Sequence, residues 1–159
     1  MQEPRKHDIL RLSMIVFTKP EAFNPSFRVA GCFLSFEGRF LLLQRAVHDE
    51  SFASHWGAPG GGIDEGESPA EAVLREVREE TGLHFEIADL EELGAGYVTI
   101  DGKEKQFEYH MYRIHIETEP ELSLDENEHQ SHAWVTAEEA LELPLVADMD
   151  ECVREVWLR

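Results

Sequence analysis

Between Ser68 and Gly82 the sequence specifies both ends of one helix. Ser68 is an N-cap residue, Pro69 suits the first helical position, and Glu71 completes an S-x-x-E capping box. Gly82 supplies the left-handed backbone on which helices stop. On a wheel of about 100° per residue, Ala70, Val73, Leu74, Val77 and Thr81 share an arc that can pack on a sheet. Arg75, Glu76 and Glu79 fall on the other side with Glu80 at the boundary, and the small Ala72 shares the acidic face, leaving room for something to approach. Strand patterns lie on either side of this helix. RVAGCFLSF and RFLLLQR, around Glu37-Gly38, read as a hairpin. HFEIADLEELGAGYVTI and KQFEYHMYRIHIE read as extended segments around the hairpin dipeptide Asp101-Gly102, and HAWVT as a short strand. AEEALEL and DMDECVREVWLR read as helical pieces divided by Pro144. The expected fold is α/β, a mixed sheet covered on both faces with the capped helix at its centre.

Charge narrows what such a fold can bind. The chain has 159 residues, enough for one domain with a sizeable core, and a formal net charge of −19. That balance disfavours nucleic acid polymers, whose binding needs cationic side chains to displace phosphate counterions, and it disfavours an anionic membrane surface. A small anionic substrate remains compatible if bound cations neutralise the site locally. Cys32 and Cys152 stand alone in apolar contexts, which predicts free, buried or half-buried thiols in a reducing compartment. The first residues show neither a signal-peptide pattern nor a membrane-spanning stretch, so the cytoplasm is the expected location.

The acidic face has two readings. Most helical charge runs only solvate an exposed surface. Two carboxylates roughly 6 Å apart repel by under 1 kcal/mol in water, but by about 3 kcal/mol at an effective dielectric near 20. In a partly enclosed site the cluster therefore needs a divalent cation or protonation. Glu76 and Glu79 are i,i+3 neighbours and Glu76 and Glu80 are i,i+4, so one ion cluster can reach all three. Mg²⁺ takes few protein carboxylates and completes its shell with water and phosphate oxygens.

The whole stretch resembles the Nudix box G-x5-E-x7-R-E-U-x-E-E-x-G-U, where U is a bulky aliphatic residue. Gly61, Glu67, Arg75, Glu76, Val77, Glu79, Glu80, Gly82 and Leu83 fill its defined positions. The resemblance extends loosely from Val29 to the C-terminus, so residues 1–28 are expected to form an extension: a strand, an irregular connection and a candidate homodimer contact. Residues 29–159 are expected to form the hydrolase domain, a Nudix-type α/β/α sandwich. The resemblance implies hydrolysis of a nucleoside diphosphate derivative with Mg²⁺, or Mn²⁺, as cofactor. It assigns Glu79 and Glu80 as principal metal ligands, the Gly60 carbonyl as another, and Glu76 as a ligand or a base acting on water. Arg75 is expected to orient the glutamates through pairs with Glu71 and Glu79, and Glu67 to brace the loop. Glu128, six positions before Trp134, matches the further acidic residue of many relatives, with Glu126 as fallback.

Other assignments are less constrained. Arg45, at the end of LLLQR, is a candidate phosphate or ribose contact, against the alternative of a surface arginine. Trp56 and Tyr97 are candidates to stack a base, against core packing, and Tyr109 is read the same way. Asp148 is a candidate reader of a base edge by analogy with the guanine-nucleotide-sanitising branch, against a helix N-cap role. The histidines read as structural or surface groups, with His129 kept for its position beside Glu128. A generic nucleoside-triphosphate pyrophosphohydrolase is the leading expectation. The alternatives are hydrolysis of dinucleoside polyphosphates or nucleotide sugars, a nucleotide sensor without turnover, and an isopentenyl-diphosphate-type isomerase using Cys32.

Overall fold

The computed structural model describes residues 13–100 and 105–159. Among these residues eight strands form one sheet: β1 (Ser13–Val16), β2 (Phe27–Phe36), β3 (Arg39–Arg45), β4 (Trp56–Gly57), β5 (Gly60–Gly62), β6 (Glu91–Ile100), β7 (Lys105–His115) and β8 (His129–Val135). The helices are α1 (Pro69–Thr81), α2 (Ala137–Ala140) and α3 (Met149–Trp157). The main path runs β1-β6-β7-β2-β3-β4, with β5 on β2 and β8 on β3. Among the described strand pairs, β2 and β7 run parallel and the rest antiparallel, so the sheet is mixed.

The expected hairpin of β2 and β3 forms, but the two strands pair only at Ser35–Phe40 and Phe36–Arg39. Beyond that they diverge, and the returning chain takes up the freed edges: Gly57 pairs with Leu43 on β3, and Gly60 with Gly31 on β2. The Gly-rich segment is thereby stitched into the sheet just ahead of α1. This explains why β2 and β3 are near-continuous apolar runs, since both faces of the sheet are covered. Ala30, Cys32, Leu34, Leu41 and Leu43 pack with Ala72, Val73 and Val77 of α1. Phe33, Phe40 and Leu42 pack on the opposite face with Met149, Cys152 and Val153 of α3.

The helix signals are realised as written. Ser68 Oγ accepts from the Glu71 amide at 3.1 Å, the Glu71 carboxylate accepts from the Ser68 amide at 2.8 Å, and Gly82 sits at φ 77°. Two expectations need correction. Ala72 is fully buried against the sheet and opens no space on the acidic face. Residues 84–90 are not a strand: Ile87–Asp89 form a 3₁₀ turn, because the Asp89 side chain accepts from the Glu86 amide at 2.8 Å and closes the chain locally before β6 starts. The Asp101-Gly102 turn lies outside the described residues, although β6 and β7 pair antiparallel on either side of it. Among the described residues no helix is long and apolar enough to cross a membrane.

Candidate active site

The start of β5 and the inner edge of α1 meet at one place because Gly60 and Gly61 leave no side chain between them. The Gly60 amide donates to Glu80 Oε2 at 3.1 Å, which draws Glu80 inward to 5% exposure. A Cβ on Gly60 would collide with the Ala30 carbonyl oxygen, and one on Gly61 would stand 2.5 Å from Glu76 Oε1. Backbone atoms of β2 demand glycine at position 60, whereas at position 61 a Cβ would displace the Glu76 carboxylate from its present place. The Gly60 amide thus ties the turn to the helix by way of Glu80.

Arg75 organises the outer side of the cluster. Its guanidinium is only 22% exposed and donates through Nε and Nη2 to Glu67 at 2.8 and 2.9 Å. It donates through Nη1 to Glu76 at 2.8 Å and to Glu79 at 3.4 Å, and through Nη2 to the Gly62 carbonyl at 3.0 Å. The expected partner Glu71 is replaced by Glu67, since the capping box holds Glu71 at the helix start. Glu67 also accepts from the Asp64 amide at 3.0 Å, so one carboxylate ties the loop to the helix. The Arg75 hydrogen bonds, then the Asp64 amide, hold the Glu67 carboxyl down at about 2. Its contribution to stability is therefore present above about pH 4.5 and is lost as pH falls toward that lowered value. Lysine, with a compact charge and no planar fork, does not span these acceptors. Arg75→Lys should lower turnover by about 10- to 100-fold, the usual cost of losing a group that orients a ligand. It should also flatten the acid limb of a melting-temperature profile; an unchanged limb refutes the bracing role.

Glu76, Glu80, Glu128, Gly60, Gly61 and Arg45 all border one polar cavity of about 420 Å³. The Glu128 carbonyl accepts from the Ala46 amide at 2.9 Å, which fixes the loop before β8 against the end of β3. Burial, followed by repulsion from Glu76 and Glu128, pushes Glu80 well above the usual carboxylate range. Burial, then Asp125 and Glu76, pushes Glu128 up as well. Glu79 does not border this cavity; its side chain is 55% exposed on the Arg75 side. Glu126 is exposed. His129 is buried beside the cavity, and burial lowers its affinity for a proton.

Oxygen donors crowded to the point of disfavouring their own ionisation fit a hard divalent cation. Among the described residues, no three His, Cys, Asp or Glu side chains are gathered around a common point. The fit therefore rests on residue type and on the burial of the Glu80 carboxyl beside Glu76 and Glu128.

A second, apolar cavity of about 340 Å³ adjoins the first and shares Arg45, Gly60 and Gly61 with it. Arg45 is half-committed, donating through Nε and Nη2 to Asp49 at 3.0 and 2.8 Å. Asp148 borders the apolar cavity, and burial raises its carboxyl. It occupies the N-cap position of α3, but its side chain caps nothing: its Oδ2 accepts from Ser13 Oγ at 2.6 Å. Trp56 and Tyr97 border neither cavity. Trp56 packs on the α3-side core, with its amide donated to the Pro144 carbonyl at 2.9 Å. Tyr97 stands edge-on to Phe23 with ring centroids 5.3 Å apart, on the face of β6 opposite the cavity-lining Val98 and Ile100. Tyr109, the other aromatic with the two readings of base stacking or core packing, does reach the cavity, because Gly31 clears the path that a Cβ would block against its phenol oxygen. Ser13 carries no sequence signal, because its partner lies 135 positions away, whereas Asp49 stands four residues from Arg45, an i,i+4 spacing legible in the sequence.

Cys32 is fully buried, and desolvation pushes its thiol to about 12, which removes it as an isomerase-type catalytic group.

This geometry is that of a known fold and box. The NUDIX domain family model matches residues 25–156, and the chain belongs to that family. It is 30% identical over 120 residues to a CTP pyrophosphohydrolase of Escherichia coli K12, covering 74% of this chain and 81% of the relative. It is 29% identical over 118 residues to an asymmetrical bis(5'-nucleosyl)-tetraphosphatase of Caenorhabditis elegans, covering 73% and 80%. A MutT NUDIX hydrolase from Burkholderia pseudomallei superposes with a TM-score of 0.68 at 25% identity, covering 82% of this chain and 97% of that one. The protein is a Nudix-type hydrolase acting on phosphoanhydride bonds.

Proposed function

We propose that this chain is a Mg²⁺-dependent pyrophosphohydrolase, with Mn²⁺ as a substitute, that cleaves a diphosphate linkage in a nucleoside triphosphate or another nucleoside diphosphate derivative. The carrying observation is the junction of two cavities. A polar one holds Glu76, Glu80 and Glu128, and an apolar one suited to a nucleobase shares Gly60, Gly61 and Arg45 with it. The name of the E. coli relative, a CTP pyrophosphohydrolase, favours a triphosphate. Bound Mg²⁺, held by Glu76, Glu79, Glu80, Glu128 and Gly60, would withdraw charge from the phosphates and acidify an attacking water.

The remaining work falls to the chain itself. Glu76, oriented by its 2.8 Å ion pair with Arg75, takes the proton of the attacking water, while Glu128 confines that water from the opposite loop. The water oxygen bonds to phosphorus and the anhydride P–O bond breaks. Arg45, steadied by Asp49, offers its remaining Nη1 donors to a phosphate. Asp148 meets the base edge from the rim of the apolar cavity. The division into an extension over residues 1–28, of which 1–12 lie outside the described residues, and a hydrolase domain over 29–159 is part of this reading, with the extension as a homodimer candidate. A cytoplasmic location accords with Cys32 and Cys152 both being free and buried. A panel of nucleoside triphosphates, nucleotide sugars and dinucleoside polyphosphates, assayed with Mg²⁺ and with chelator, should give Mg²⁺-dependent NMP plus pyrophosphate from triphosphates. Tight nucleotide binding without products would instead support a sensor.

A further inference from the structure

Ser13 lies outside the residues matched by the family model, 135 positions from the residue it binds. Its strand is registered on the sheet by pairing of Ser13 with Ile100, and Ile100 and Ile15 both line the apolar cavity. The partner, Asp148, is held in the left-handed region at φ 62°, an uncommon backbone for a residue other than glycine. The residue at this position ordinarily caps the helix that follows, yet the Asp148 carboxylate turns away from the α3 amides and accepts the Ser13 hydroxyl at 2.6 Å. Ser13 and Asp148 both border the apolar cavity and a polar one of about 470 Å³. The hydrogen bond therefore stands where the two spaces meet.

We propose that Ser13 is a positioning residue: strand β1 crosses the rim of the base cavity to fix Asp148 Oδ2, so that Oδ1 accepts from the amino group of a nucleobase. This rests on the reading of Asp148 as the base-edge contact. It makes the N-terminal segment a specificity element, and it favours bases that carry an amino group over counterparts that lack it. An acceptor held at one angle distinguishes an amino donor from a carbonyl, whereas an unheld carboxylate rotates to water and distinguishes them poorly.

The test compares kcat/KM within two pairs differing mainly by an amino group, CTP with UTP and GTP with ITP, at saturating Mg²⁺. The wild-type protein should prefer the amino-bearing member of at least one pair. Ser13→Ala should reduce that ratio by about 10-fold, the scale of one hydrogen bond to a charged group, with most of the change in KM for the amino-bearing nucleotide. Ser13→Thr, which keeps the hydroxyl, should restore it. Met14→Ala, an exposed neighbour on the same strand, should leave the ratio unchanged. If Asp148→Asn collapses the ratio and Ser13→Ala does not, the role of Ser13 is overturned while the Asp148 reading stands. If Ser13→Thr fails to restore the ratio, the strand rather than the hydroxyl is responsible and the proposal is again overturned. A wild-type protein that discriminates within neither pair overturns both.

Discussion

Glu80→Gln should remove most turnover and, at the same time, make the metal-free protein less sensitive to rising pH. Glu80 is buried at 5% exposure, and burial, then Glu76 and Glu128, raise its carboxyl above the ordinary 4.5 despite the hydrogen bond from Gly60. A carboxyl raised in the folded state binds more protons there than in the unfolded chain. Its favourable contribution is complete below about pH 4.5 and is lost as pH climbs through the raised folded value. Glutamine has the same shape, can still accept the Gly60 amide, and has no proton to lose. In chelator, the melting temperature of the wild-type protein should fall between pH 5 and pH 9 more than that of the variant. With Mg²⁺ the wild-type should gain stability by mass action and the variant much less. Activity should move the other way. Losing one oxygen anion at the charge-neutralising centre is expected to remove several kcal/mol of transition-state stabilisation, on the order of 10²–10³ in rate. Retained turnover, or a variant whose melting temperature falls more steeply with pH, excludes Glu80 from the ion site.

The core of the candidate site is legible in the sequence because its determinants are local. A capped helix with one apolar arc and one acidic arc is written locally, at i,i+3 and i,i+4 spacing, and Ser68, Glu71 and Gly82 all act where their neighbours in sequence require. The position of Glu80 relative to Glu76 follows from the same helical geometry. What the sequence could not show is long-range. Ala72 looked like part of the acidic face because a helix wheel carries no information about the tilt of α1 on the sheet, and the sheet reaches far enough round to bury it. Tyr97 and Trp56 were plausible base contacts by residue type. Strand alternation sends Tyr97 to the wrong face, and the splay of β2 from β3 draws Trp56 into pairing with Gln44. Ser13 and Asp148 meet only because β1 closes the far edge of the sheet.

Gly61→Ala and Gly60→Ala should separate the chemistry of this segment from its folding. At Gly61 a new Cβ would lie 2.5 Å from Glu76 Oε1 and 2.6 Å from its carboxyl carbon, both at the mobile end of a side chain. The backbone there has no positive φ, so alanine is conformationally allowed and the carboxylate must swing away. That breaks the 2.8 Å contact with Arg75 and removes Glu76 from its place in the cavity, while the sheet is untouched. Turnover should drop about 10²-fold, the scale of losing a positioned proton acceptor, with the melting temperature within a few degrees of wild type. At Gly60 the obstacles are the Ala30 carbonyl oxygen and Gly31 Cα at 2.7 Å, both backbone atoms of the paired strand. They cannot rotate aside, so Gly60→Ala should destabilise the fold by about 1–3 kcal/mol, the usual cost of overpacking a tight contact, as read by urea unfolding. If Gly61→Ala is fully active, the observed position of Glu76 is not the one used in the reaction. If instead it unfolds as readily as Gly60→Ala, the glycine pair serves packing alone, and the close approach of Glu76 to the turn is a by-product of how β5 enters the sheet.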